Sequence, residues 1–81
     1  FGNVMPEAFV LFKTLTAREL EVYKTLSNHE SVAEVHALYG EYDLLVRVSS
    51  EDSGKLSSML MSDFRQISGV KDTQTMIAVE Y

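Results

Sequence analysis

The sequence predicts an α+β sandwich of four strands and two helices, in the order strand, helix, strand, strand, helix, strand. Three observations carry that prediction. Apolar residues alternate with others in four runs, at 7–14, 32–39, 44–48 and 70–81. The two longer gaps hold apolar residues at helical spacing behind a start signal, whereas the gap between the second and third runs is a short polar turn. Sliding the first strand-helix unit onto the second matches Phe12 with Val48 and Leu20 with Leu56, so one βαβ unit is used twice.

In the first strand Ala8, Val10 and Phe12 alternate with Phe9, Leu11 and Lys13; both faces are largely apolar and both need cover. The first helix is expected to begin at Ala17. Thr16 is its N-cap, Glu19 closes a capping box three residues on, and Leu15 staples onto Leu20. Leu20, Tyr23 and Leu26 form its buried stripe, and Ser27-Asn28-His29-Glu30 its polar exit. In the second strand Ala33, Val35, Ala37 and Tyr39 make the core face, opposite Val32, Glu34, His36 and Leu38. Leu44, Val46 and Val48 alternate with Leu45, Arg47 and Ser49 in the third, and the short turn makes these two strands antiparallel neighbours. Ser50 or Asp52 caps the second helix, and either leaves negative charge in its first turn, where the helix dipole favours it. Leu56, Met59, Leu60, Phe64 and Ile67 are its stripe; Gly54 weakens its start and Gly69 ends it. The last strand sets Thr73, Thr75, Ile77 and Val79 opposite Asp72, Gln74, Met76 and Ala78, polar in its outer half and apolar in its inner half.

Right-handed crossovers put both helices on one side of the sheet, which gives a ferredoxin-like βαββαβ sandwich. The other face stays apolar and uncovered. A second copy of the chain is its cheapest cover, so the sandwich is expected to be dimeric through the sheet face.

Composition bounds the function. The 81 residues show no composition shift, which predicts a single domain over 5–81, with Phe1 to Val4 a tag or processing remnant ahead of Met5. So short a chain hides only about 60 % of its unfolded surface, and a partner surface would help it. A formal charge of −5 with dispersed basic residues argues against direct nucleic-acid binding. No apolar run approaches the ~18 residues of a membrane span and no signal peptide is seen, so a cytoplasmic protein without membrane contact is expected. The absence of cysteine excludes disulfides, thiol catalysis and thiolate metal sites.

The strand at 32–39, the turn Gly40-Glu41-Tyr42-Asp43, the apolar run 44–48, and Ile67-Ser68-Gly69-Val70 leading into Thr73-Gln74-Thr75 resemble one family. It is the effector-binding (RAM) domain of the Lrp/AsnC transcription regulators, and the resemblance spans 5–81. It implies a ferredoxin-like domain that pairs through its sheets, assembles into dimers of dimers and binds a free amino acid where dimers meet. Family members usually add an N-terminal helix-turn-helix that holds DNA. These residues do not include one, so the expectation is a stand-alone module or an excised effector domain, able to join full-length relatives in mixed oligomers.

Residues 39–43 are the first candidate site. Gly40 can take φ > 0 and admit a ligand to its backbone N–H, or it only makes the turn. Asp43 can accept hydrogen bonds from an α-ammonium, or it caps N–H groups of the turn; the resemblance favours a site, because the matching glycine and acid lie in the family's effector region. Tyr39 and Tyr42 either wall a small pocket or anchor a subunit interface. Thr73 and Thr75 project their hydroxyls to one side and could hold a carboxylate, although threonine is first of all a good strand residue.

Catalysis finds little support. Glu41 and Asp43 on an exposed turn both ionise freely, with no desolvated pocket to split their pKa values. His29 and His36 lack metal-site spacing, and neither a nucleophile elbow nor a glycine-rich phosphate loop occurs. The expectation is therefore a non-enzymatic, cofactor-free module that senses an amino acid at an oligomer interface. The alternatives are an oligomerisation module without ligand and a small dimeric α+β barrel enzyme; the lack of a clustered His, acid and Arg set counts against the enzyme.

Overall fold

A computed structural model describes residues 7–78. The elements are β1 (Glu7–Thr14), α1 (Glu19–Ser27), β2 (Val32–Ala37), β3 (Leu44–Ser49), α2 (Ser53–Ser58) and β4 (Val70–Ile77). A π-helical turn, Met59–Asp63, and a 3₁₀ turn, Phe64–Gln66, continue α2. The sheet runs β2-β3-β1-β4 with every neighbouring pair antiparallel. This is the ferredoxin-like α+β sandwich that the repeated βαβ unit predicts.

One side of the sheet carries the core. Ala8, Val10 and Phe12 from β1 and Leu44, Val46 and Val48 from β3 are fully buried against Val22, Leu26, Leu56, Met59, Leu60 and Phe64 from the helical segments. Phe12 and Phe64 meet edge to face, ring centroids 5.7 Å apart, a preferred geometry for the ring quadrupoles. Asp52 caps α2: its carboxylate accepts from the Gly54 N–H at 2.7 Å, while the Ser50 hydroxyl accepts from the Asp52 N–H. Widening the helix at Met59–Asp63 lets the consecutive Met59 and Leu60, and then Phe64, all reach the core.

The first helix departs from its expected start. Ala17 has φ 64, and α1 begins at Glu19 with Arg18 in the cap position and no side-chain cap bond, so neither the Thr16–Glu19 capping box nor a helical Ala17 forms. Leu15 and Leu20 are both exposed, which removes the staple. The buried stripe is Val22 and Leu26, not Leu20, Tyr23 and Leu26. Packing against the turn before β4 decides the matter. The Leu15 N–H donates to the Gly69 carbonyl at 2.8 Å, and Arg18 reaches Glu21 and the Ser68 hydroxyl. Gly69, at φ 98, is so close to α1 that a Cβ there would stand 2.9 Å from Val22 Cγ2. That contact turns Val22 inward and Leu20 outward, a tertiary override of a good local signal.

Two strands also differ from expectation. β2 ends at Ala37, and its ladder to β3 slips between Val32 and Glu34, so Ala33 is an extra residue. The bulge brings Val32 onto the same side as Val35, both packed against the core; Ala37, opposite Leu44, keeps the expected side but is exposed, as are Ala33 and Tyr39. β4 ends at Ile77, and Met76 and Ile77 are exposed, so the inner half of that strand is not buried. Val79, the rest of the expected strand and Phe1 to Val4 lie outside the described residues.

Candidate functional site

The β2–β3 hairpin is closed by its own backbone and tied to the sheet end. The Leu38 N–H donates to the Asp43 carbonyl and the Asp43 N–H to the Phe12 carbonyl, each at 2.9 Å. The Asp43 carboxylate then accepts from the Thr14 N–H at 2.8 Å and from the Thr14 hydroxyl at 3.0 Å. Asp43 is thus half-buried and hydrogen-bonded to β1, not free on an exposed turn as the sequence suggests. Both bonds fall on Oδ2, and Oδ1 has no hydrogen-bond partner among the described residues. Gly40 takes φ 137 with open space where a Cβ would stand.

The remaining turn residues diverge. Tyr39 is fully exposed. Tyr42 points towards β4, where its hydroxyl donates to Gln74 Oε1 at 2.8 Å, and the Lys13 ammonium lies 5.4 Å from its ring centroid. Glu41 sits 3.7 Å from the same ammonium. Only Tyr39 and Asp43 of these five residues line the groove between α1 and the hairpin, of about 730 Å³, together with Glu19, Leu20, Tyr23 and Leu38. Sequence reasoning placed Leu20 and Tyr23 in the core and so missed them as groove residues. The available signal was the phase of α1, in which Val22 and Leu26 make an equally good i, i+4 stripe.

Thr73 and Thr75 stand opposite Phe12 and Val10 in the β1–β4 ladder, on the helix side of the sheet. β1 and β3 separate β4 from β2, and Thr73 lines a different depression from the groove. His29 is held by the Ser31 N–H on Nδ1 at 3.1 Å and by an edge contact with Phe64. Among the described residues no group of three His, Cys, Asp or Glu could hold a metal, and no helix is long and apolar enough to cross a membrane.

The helix-free face of the sheet is the second candidate surface. Phe9, Leu11 and Leu45 are half-buried and Met76 is exposed, neighbours through the ladders Leu11–Leu45 and Phe9–Met76. Arg47 borders them, bonding Glu7 at 2.9 Å and Glu34 at 2.7 Å, and His36 Nε2 lies 3.0 Å from Glu34. The hydrogen bond with His36, and after it Arg47, holds the Glu34 carboxyl below the usual carboxylate range; Glu34 in turn raises the Arg47 guanidinium.

Residues 7–81 match the family model of the Lrp/AsnC ligand binding domain. The HTH-type transcriptional regulator FL11 of Pyrococcus abyssi is 34 % identical over 73 residues, covering 90 % of this chain and 48 % of the regulator. The chain therefore spans about half the length of this curated relative. The crystal structure of FFRP-DM1 superposes with a TM-score of 0.89 at 35 % identity, covering 93 % of this chain and 100 % of that one. A transcriptional regulator of Neisseria meningitidis, NMB0573, solved as its L-Met complex, shares the fold at 21 % identity, TM-score 0.80, with 96 % of this chain and 52 % of that one covered.

Proposed function

The chain belongs to the Lrp/AsnC ligand-binding-domain family of transcription regulators, and from that premise we propose that it senses a small amino acid at the mouth of the β2–β3 hairpin. The observation that carries this reading is the groove itself. Its apolar wall, Leu20, Tyr23, Leu38 and Tyr39, borders Asp43, whose Oδ1 is left to accept from an α-ammonium. Gly40 beside it offers backbone without a side chain in the way. The fold neighbour solved with L-Met supports an amino acid as the class of ligand. The module acts without catalysis, as a partner of regulators rather than as an enzyme.

Oligomerisation belongs to the same reading. The apolar residues of the open sheet face have no cover among the described residues, and a homodimer through Phe9, Leu11, Leu45 and Met76 supplies it. Because β1 and β3 lie between the hairpin groove and Thr73, a ligand touching both Tyr39 and the threonines needs a second copy to bring its β4 to the groove. Dimers of dimers meet that requirement.

A thermal-shift screen over the twenty amino acids, read beside light scattering, tests this. A ligand at 100 times its Kd stabilises the fold by about 2.7 kcal/mol. Tyr39→Ala and Leu20→Ala, at exposed side chains, should weaken the response while leaving the unliganded melting temperature nearly unchanged. Flat curves at millimolar ligand would remove the sensing role, and a strict monomer would remove the oligomeric one.

A further inference from the structure

Arg47 stands on the helix-free face of β3, an inner strand of the sheet. The ladders set it in one row with Glu34 of β2 on one side and Phe9 of β1 on the other, and Met76 of β4 lies beyond Phe9. His36, Leu45, Leu11 and Gln74 make the next row. The charge therefore adjoins the apolar patch directly, with Phe9 as its cross-strand partner.

All three guanidinium nitrogens are engaged within the chain. Nε and one terminal nitrogen donate to Glu34 Oε2 at 3.2 and 2.7 Å, and the other terminal nitrogen donates to Glu7 Oε2 at 2.9 Å. The second oxygen of Glu34 lies 3.0 Å from His36 Nε2. Carboxylates from the two strands that flank β3 thus hold Arg47 between them, with 31 % of its side chain still exposed. An interface between two identical faces repeats every residue of one in the other. A free Arg47 would there be desolvated beside apolar side chains or would meet its own copy, and both are costly. A partner that docked through an acid would need a free guanidinium, and this one is taken.

We propose that the Glu7–Arg47–Glu34 bridge is the selectivity gate of the sheet face: it neutralises Arg47 inside each chain, so the face accepts a second copy of itself and gives no anchor to an acidic partner. The inference rests on the sheet-face homodimer of the proposed function and names what sets its partner. The bridge acts by removing a penalty, not by adding a contact between chains. Replacing it whole with neutral side chains therefore leaves pairing intact, whereas stripping only the acids does not.

Sedimentation equilibrium of three forms of the whole chain tests this: the wild type, Glu7→Gln/Glu34→Gln, and that pair with Arg47→Met added. Circular dichroism melts check that each is folded. Stripping the acids should raise the dimer Kd about ten-fold or more, and adding Arg47→Met should return it to within about three-fold of the wild type. If the double variant does not fold, Glu34→Gln, at an exposed side chain, carries the same comparison against Glu34→Gln/Arg47→Met. A dimer whose Kd ignores loss of the acids, or which both variants weaken alike, would overturn the gate and leave the homodimer standing. A strictly monomeric wild type would overturn the homodimer, and the gate with it.

Discussion

Asp43→Ala offers the sharpest test of how the hairpin is held. The carboxylate accepts two bonds from Thr14, one from its backbone N–H and one from its hydroxyl. Removing it leaves the part-buried N–H without an acceptor, at about 1–3 kcal/mol, whereas the hydroxyl can turn to water at little further cost. A total near 2–3 kcal/mol follows. In a domain of this size each kcal/mol moves Tm by about 4–8 °C, so the variant should melt roughly 10–20 °C lower. Urea unfolding should show a lower midpoint at an unchanged m-value, because the surface exposed on unfolding is the same. A double-mutant cycle with Thr14→Val isolates the hydroxyl bond: the two losses should be less than additive by about 0.5–1.5 kcal/mol. Full additivity, or a loss below about 0.5 kcal/mol for Asp43→Ala, would refute the anchoring role and leave Asp43 a ligand group alone.

Other expectations are sharp enough to measure. Ala17→Gly should be neutral or stabilising in thermal melts, since Ala17 sits at φ 64, whereas a helical Ala17 would lose about 0.5–1 kcal/mol on the same change. Gly69→Ala should cost about 2–4 kcal/mol by urea denaturation, because a Cβ meets Val22 and Arg18 at 2.9 and 3.2 Å and an L side chain is strained at φ 98. The lowered pKa of Glu34 gives stability that is present above the unfolded carboxylate value of about 4.3 and is lost as pH falls through the lower folded value. Glu34→Gln should therefore flatten part of the acid limb of a Tm-against-pH curve; an unchanged limb would show that the pairing adds nothing to the fold.

Much of the architecture was legible because it rests on periodicity. The span of β1 and the β3 residues that enter the core follow from alternation, Leu44-Val46-Val48 standing against the more polar Leu45-Arg47-Ser49, whereas β1 is apolar on both faces and only packing chose Ala8-Val10-Phe12 for the helix side. The α2 stripe was equally plain, and the match of Phe12 with Val48 disclosed the repeated unit. The hairpin turn declared itself through Gly40, whose φ of 137 suits a residue without a Cβ.

The candidate site was only half visible, because its groove is a matter of phase and reach. Local signals at Thr16 and Glu19 described a respectable helix start, but the bond from Leu15 to the Gly69 carbonyl, 54 residues apart in sequence, costs the chain that start and turns α1. Leu20 and Tyr23 thereby became groove wall instead of core. The same holds for Asp43, whose residue type announced a carboxylate at a turn while only the fold brought Thr14 to it. By itself the sequence determined the order of elements, the apolar faces of β1, β3 and α2, and the family, all properties of neighbours along the chain. Tertiary structure alone decided where α1 begins, which of its sides is buried and which oxygen of Asp43 remains open, because each depends on a contact between residues far apart in sequence.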